Sequence, residues 1–81
     1  MQLTILTPDK PVFDGTIVSV TVPGTLGAFQ ILKDHAPIIS TLEDGNVLIQ
    51  TVNEEKSIGI KGGVVEVSNN KIILLAEAIV E

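Results

Sequence analysis

The sequence predicts an all-β domain, a sandwich or small barrel of eight or nine short strands. Three observations predict it. Apolar residues make up 44% of the chain but aromatics only 2%, so the excess is Val, Ile and Leu; branched side chains of this kind pack well on a pleated surface. Apolar runs of strand length recur at intervals of about 8–12 residues, cut by Gly, Pro, Asn and Asp. No stretch carries the helical apolar period. The 81 residues allow one domain, expected over residues 1–81.

Each element follows from local chemistry. Leu3-Thr4-Ile5-Leu6 is a strand that stops where Pro8 and Pro11 lack the amide for ladder pairing. Val12-Phe13 runs into Asp14-Gly15, a turn pair. Thr16 to Val22 alternates, with Val18, Val20 and Val22 on one face and Ser19 and Thr21 on the other. Val22 to Pro37 reads as loop, short strand and loop, since Gly and Pro punctuate both ends. Strands follow at Pro37 to Thr41, Asn46 to Val52 and Ser57 to Ile60, with Asp44-Gly45 and Asn53-Glu54-Glu55-Lys56 turning the chain between them. Gly62-Gly63 breaks the chain before Val64 to Ser68. Asn69-Asn70 fits a two-residue type I′ hairpin, because Asn tolerates positive φ. Lys71 to Ala76 holds Ile72, Ile73, Leu74 and Leu75 in a row, a run expected to be covered on both faces. Glu77 to Glu81 fits a last strand or the stub of a helix, and the strand is the favoured reading.

Composition excludes several classes. The net charge is −5 with scattered acids, and a nucleic-acid binder needs a clustered basic patch. Without cysteine there is neither a disulfide nor a thiolate metal site. No apolar run approaches the roughly 20 residues of a membrane span. Met1-Gln2-Leu3-Thr4 lacks the charged and apolar regions of a signal peptide, which points to the cytoplasm, with any membrane association through a partner.

No catalytic constellation emerges. His35 is the only histidine, and none of Ser19, Ser40, Ser57 or Ser68 lies in a Gly-x-Ser-x-Gly elbow. The plain reading of His35 is a backbone hydrogen bond at a turn. Asp9, Asp14 and Asp44 adjoin turn residues, Glu54 and Glu55 form a loop tip, and Glu66 alternates outward from Val65 and Val67. No metal and no cofactor is expected. Gly24-Thr25-Leu26-Gly27 and Gly62-Gly63 lack the Gly-Lys-Ser/Thr ending and helix start of a phosphate loop. What stands out is Leu26 and Phe29 on a loop, because apolar residues held on a turn cap a core or meet a partner.

Three patches carry a family resemblance. They are Leu6-Thr7-Pro8-Asp9-Lys10 with Val12-Phe13-Asp14-Gly15 and Val18 to Gly24; Gly27-x-Phe29-x-Ile31-Leu32 with His35-Ala36-Pro37-Ile38; and Gly62-Gly63-Val64-Val65-Glu66-Val67 with Leu74-Leu75-Ala76-Glu77-Ala78. In this order and spacing, from about Leu3 to Ala78, the chain resembles the N-terminal domain of the ε subunit of rotary proton-translocating ATP synthases. The resemblance implies a flattened sandwich of two antiparallel sheets, with about eight to ten short strands. It implies a non-catalytic central-stalk protein between the γ subunit and the c-ring, coupling proton flow to ATP synthesis at the cytoplasmic face of the membrane and touching that membrane only through the ring. It places Leu26, Gly27, Ala28 and Phe29 towards the c-ring, and Thr7, His35, Ala36 and Pro37 towards γ. The family usually has Gly where Gln30 stands and often an acid where Ala28 stands. Most members continue into a helical hairpin, whereas some are naturally as short as a chain ending at Glu81, which a truncated member would equally match; for the short form no ATP binding is expected.

The alternative is a biotinyl or lipoyl carrier domain, also β-rich and of this length, with Lys61 in Gly59-Ile60-Lys61-Gly62-Gly63 as the modified lysine. Its flanks lack the Met-Lys-Met or Asp-Lys-Ala pattern. A generic β-sandwich adaptor is a third reading. Surface scaling gives about 4,700 Å² for a monomer of this mass. Two contacts of about 800 Å² each would hide roughly a third of that area, which accounts for the surplus of Val, Ile and Leu under the stalk reading.

Overall fold

Short alternating runs become eight strands in the computed structural model, which describes residues 1–80. They are β1 (Gln2–Leu6), β2 (Pro11–Thr16), β3 (Ser19–Val22), β4 (Phe29–Ile31), β5 (Ile38–Leu42), β6 (Gly45–Gln50), β7 (Glu55–Ser68) and β8 (Lys71–Val80). The described residues contain no helix, and the all-β expectation holds. Glu81, placed at the end of the last predicted strand, lies outside the described residues.

The long hairpin of β7 and β8 is the spine. It pairs antiparallel from Gly59↔Val80 to Ser68↔Lys71. Along its other edge, β7 pairs first with β6 over Glu55 to Ile60, then with β5 over Gly63 to Val67. The first half of β8 pairs with β1, and β1 with β2. Beyond β6 come β3 and β4. One layer is therefore β2-β1-β8-β7-β5 and the other β8-β7-β6-β3-β4, with β7 and β8 bent to serve both. Their inner faces meet in one core that includes Leu3, Ile5, Ile72 and Leu74 from the first layer and Val20, Val22, Val47 and Ile49 from the second. Burying each such side chain contributes about 1.5–3 kcal/mol. The shape, 27 × 27 × 19 Å, suits two layers about 10 Å apart with side chains on their outer faces. The surface area is 4889 Å².

The expectation of two antiparallel sheets needs correction in two respects. The strands form one hydrogen-bonded sheet, because β7 and β8 pass through both layers. And β1 runs parallel to β8. These two strands come from opposite ends of the chain, so no tight hairpin forces them antiparallel.

Four local expectations also change. Asp14-Gly15 is strand, not turn: Thr4↔Asp14 and Leu3↔Gly15 pair in the ladder, and the Asp14 carboxylate accepts from Gln2 Nε2 at 2.7 Å. Val18 is exposed, because the chain bends between β2 and β3; Ile17 and Ser19 are buried on either side of it. Gly62-Gly63 kinks β7 rather than ending it, with φ of 52° and 138°. The run in β8 alternates strictly, with Ile72 and Leu74 in the core and Ile73 and Leu75 in the open. Asn69 and Asn70, at φ 50° and 60°, form the expected kind of hairpin turn.

Candidate functional site

The loop between β3 and β4 is built to display its tip. Gly27 N donates to Gly24 O at 2.9 Å and closes the turn, with Thr25 and Leu26 at its corners. The turn is tied to the C-terminal end of β5: Thr25 N donates to Thr41 O at 3.1 Å, and the two threonine hydroxyls lie 2.7 Å apart. Glu43 N donates to Pro23 O at 2.8 Å. Leu26 is left fully exposed, at 104% of its reference area. Gly27 and Ala28 are exposed beside it. Phe29 is different. It is half-buried against the core, and its ring lies so close over Gly24 that a Cβ there would come within 2.9 Å of it. Gly24 is thus a floor for the aromatic ring, and Leu26 is the apolar group the loop presents.

Thr7, His35, Ala36 and Pro37 are not brought together. Thr7 follows β1, close to Ala78 and Ile79. Its hydroxyl donates to Lys10 O at 2.9 Å and accepts from Lys10 N, fastening the proline turn. His35-Ala36-Pro37 leads into β5, beside the β7–β8 hairpin tip at the other end of the layer. His35 N donates to Leu32 O at 3.1 Å, and its Nδ1 lies 2.7 Å from Ala36 O, the turn role expected of it.

An apolar strip on the outer face of the first layer spans the distance between them. Leu6, Leu75, Val64 and Thr41 lie in one cross-strand row, and Thr4, Ile73, Glu66 and Ile39 in the next. Ile39 is 70% exposed, Leu75 49% and Ile73 42%. Thr4, Thr41 and the exposed Glu66 stand among these residues, so the face is mixed, but exposed aliphatic side chains grouped on so small a domain suit an interaction surface. The strip starts next to Thr7 and ends two residues from Pro37. The loop reading missed it, although four apolar residues in succession in β8 carried the signal: alternation must leave two of them outside.

Other chemistry finds no support. Among the described residues, no serine hydroxyl bonds to His35; Ser40 Oγ donates to Thr41 O at 3.1 Å. No group of three or more His, Cys, Asp or Glu among them is placed to hold a metal ion. Glu43, Asp44 and Glu77 line an open groove of about 900 Å³ beside the β7 kink, but as a solvated rim. Lys61 sits within β7, paired with Ala78, whereas a carrier domain presents its lysine at a hairpin tip. The carrier reading is corrected accordingly.

Comparison with known proteins follows the same line. Residues 1–81 match the family model described as ATP synthase, Delta/Epsilon chain, beta-sandwich domain. The chain is 47% identical over 77 residues to the ATP synthase epsilon chain of Chlorobium limicola, covering 94% of this chain and 88% of that one. It is 40% identical over 76 residues to the chloroplastic epsilon chain of Tetradesmus obliquus, covering 94% of this chain and 56% of that one. Among solved structures, a chain in the central stalk and c-ring of the Tetrahymena thermophila mitochondrial ATP synthase superposes with a TM-score of 0.83 at 20% identity, over 99% of this chain and 65% of that one. A chain of the Euglena gracilis mitochondrial ATP synthase superposes at 0.89 and 17% identity, over 96% and 51%. These two likenesses speak for the fold.

Proposed function

The chain belongs to the family of ATP synthase δ/ε-chain β-sandwich domains, and from that membership we infer that it is an ε-type subunit of the central stalk, linking the γ subunit to the c-ring of a rotary proton-translocating ATP synthase. Its part in coupling proton flow to ATP synthesis is mechanical and non-catalytic. The observation that carries this reading is a family match over the whole chain joined to an unpartnered apolar face on the domain that matches.

Two contacts follow from this reading. The loop of Leu26, Gly27, Ala28 and Phe29 meets the c-ring, with Leu26 as the inserted group and Phe29 as its buttress. The γ subunit covers the outer face of the first layer from Thr7 to His35-Ala36-Pro37, with the apolar strip between. That coverage explains why Thr7 and His35 serve one partner from opposite ends of a layer. It also supplies the missing cover on the outer face of β8. No helix among the described residues is long and apolar enough to cross a membrane. The subunit is held at the cytoplasmic face of the inner or plasma membrane through the ring. No ATP or other cofactor enters this mechanism.

Leu26→Asp tests the loop. The side chain has no burial to lose, so stability should stay within about 0.5 kcal/mol of the parent. Pull-down from solubilised membranes should still recover γ but lose the c-ring. Full recovery of the ring would remove the loop from the contact. Phe29→Asp is a poorer probe, because it also puts a charge against the core.

A further inference from the structure

The approach to β5 is held by a contact that neither the sheet nor the hairpin needs. Asp34 N donates to Asn70 Oδ1 at 2.7 Å, and Asn70 Nδ2 donates back to Asp34 Oδ1 at 3.0 Å, across 36 residues of sequence. Asp34 stands at φ 65° and Asn70 at φ 60°. Asn70 is the second central residue of the β7–β8 turn, where glycine satisfies the backbone equally well. Its own carbonyl accepts from Gln2 N at 2.9 Å, which anchors it to the start of β1. Lys33, Asp34, Ala36 and Pro37 are exposed and bury nothing that would fix them.

We infer that the reciprocal Asp34–Asn70 pair is a positioning clamp that pre-orders His35-Ala36-Pro37 for docking on γ, an inference that rests on the γ contact proposed above. Without the clamp the loop samples several conformations, and the apparent affinity falls in proportion to the docking-competent fraction. Two exposed hydrogen bonds correspond to about a five- to tenfold change.

The test uses the whole chain, titrated with purified γ subunit, with urea unfolding and amide exchange measured alongside. Asn70→Gly removes the clamp and keeps the turn. Its urea midpoint should fall by no more than the same five- to tenfold factor accounts for, exchange at Asp34 should rise, and γ should bind about five- to tenfold more weakly. Asn70→Asp sets carboxylate against carboxylate and should weaken binding similarly. Adding Asp34→Asn restores both bonds, with the side-chain amide now donating from the β5 approach, and should restore affinity. This pair keeps the test decisive if Asn70→Gly also lowers the urea midpoint. Parent-like affinity in Asn70→Gly, or unchanged exchange at Asp34, overturns the clamp. Ala36→Asp separates the two levels: if it weakens binding while Asn70→Gly does not, only the clamp falls; if it too leaves γ binding unchanged, the proposed contact of this loop falls with it.

Discussion

Gly63→Ala is expected to remove much of the domain's stability, whereas Gly62→Ala, one residue earlier, costs far less. Both glycines have positive φ, at 138° and 52°, and both lie where β7 passes from one layer to the other. Their surroundings differ. A Cβ on Gly63 would overlap the Leu75 carbonyl oxygen and stand 3.0 Å from the Ala76 Cα, both on the paired backbone of β8. Backbone held in a ladder cannot swing aside, so β7 must unbend or the β7–β8 pairing must open. Either change reaches Val65, Leu74 and Ala76 in the core. Steric strain and lost packing together should cost about 3 kcal/mol or more, against a total of roughly 5–15 kcal/mol for a domain. At Gly62 the nearest atoms are those of the Glu77 carboxylate at 3.1 Å, the movable end of an exposed side chain. There the cost is the left-handed backbone alone, about 1–2 kcal/mol. Urea unfolding of both variants checks the contrast. Equal midpoints would mean that the kink does not depend on close approach to β8.

The kink also marks what a single sequence discloses. Gly62-Gly63 announces a break in regular extension, but whether the strand ends or bends depends on β8, β6 and β5, which lie elsewhere in the chain. Asn69-Asn70 was legible because a type I′ turn is specified by its own two residues. Asp14-Gly15 misled for the converse reason. Turn preference is local and weak, and the ladder with β1 overrides it. The loop around Leu26 could be picked out from its punctuation, but not the inward turn of Phe29, which depends on bare backbone at Gly24 beneath the ring. Resemblance supplied Thr7 and His35 as contacts to one partner. It took the parallel pairing of β1 with β8 to show that they bracket a layer, with exposed apolar side chains between them.

That strip yields the largest expected effect on assembly. Leu75→Lys should leave the fold intact and weaken binding to the γ subunit by at least about thirtyfold. Leu75 lies mid-strand with Leu6 on one side and Val64 on the other, near the centre of the exposed apolar rows. Half of its surface is already open in the free chain, so lysine there costs about 1 kcal/mol or less in stability, its stem still covering the neighbours. In the complex the same ammonium would be shut away from water, and desolvating a charge costs several kcal/mol, which Glu66 and Glu77 on the same face offset only in part. Val52→Lys is the control. Val52 is also a large exposed apolar residue, but it sits in the β6–β7 turn of the other layer, away from both proposed contacts. Titration calorimetry with γ should show Val52→Lys binding like the parent and Leu75→Lys barely binding, while urea midpoints stay close together. Parent-like affinity in Leu75→Lys would take the outer face out of the γ interface. Equal losses in both variants would show that added positive charge, rather than the place it occupies, governs the association.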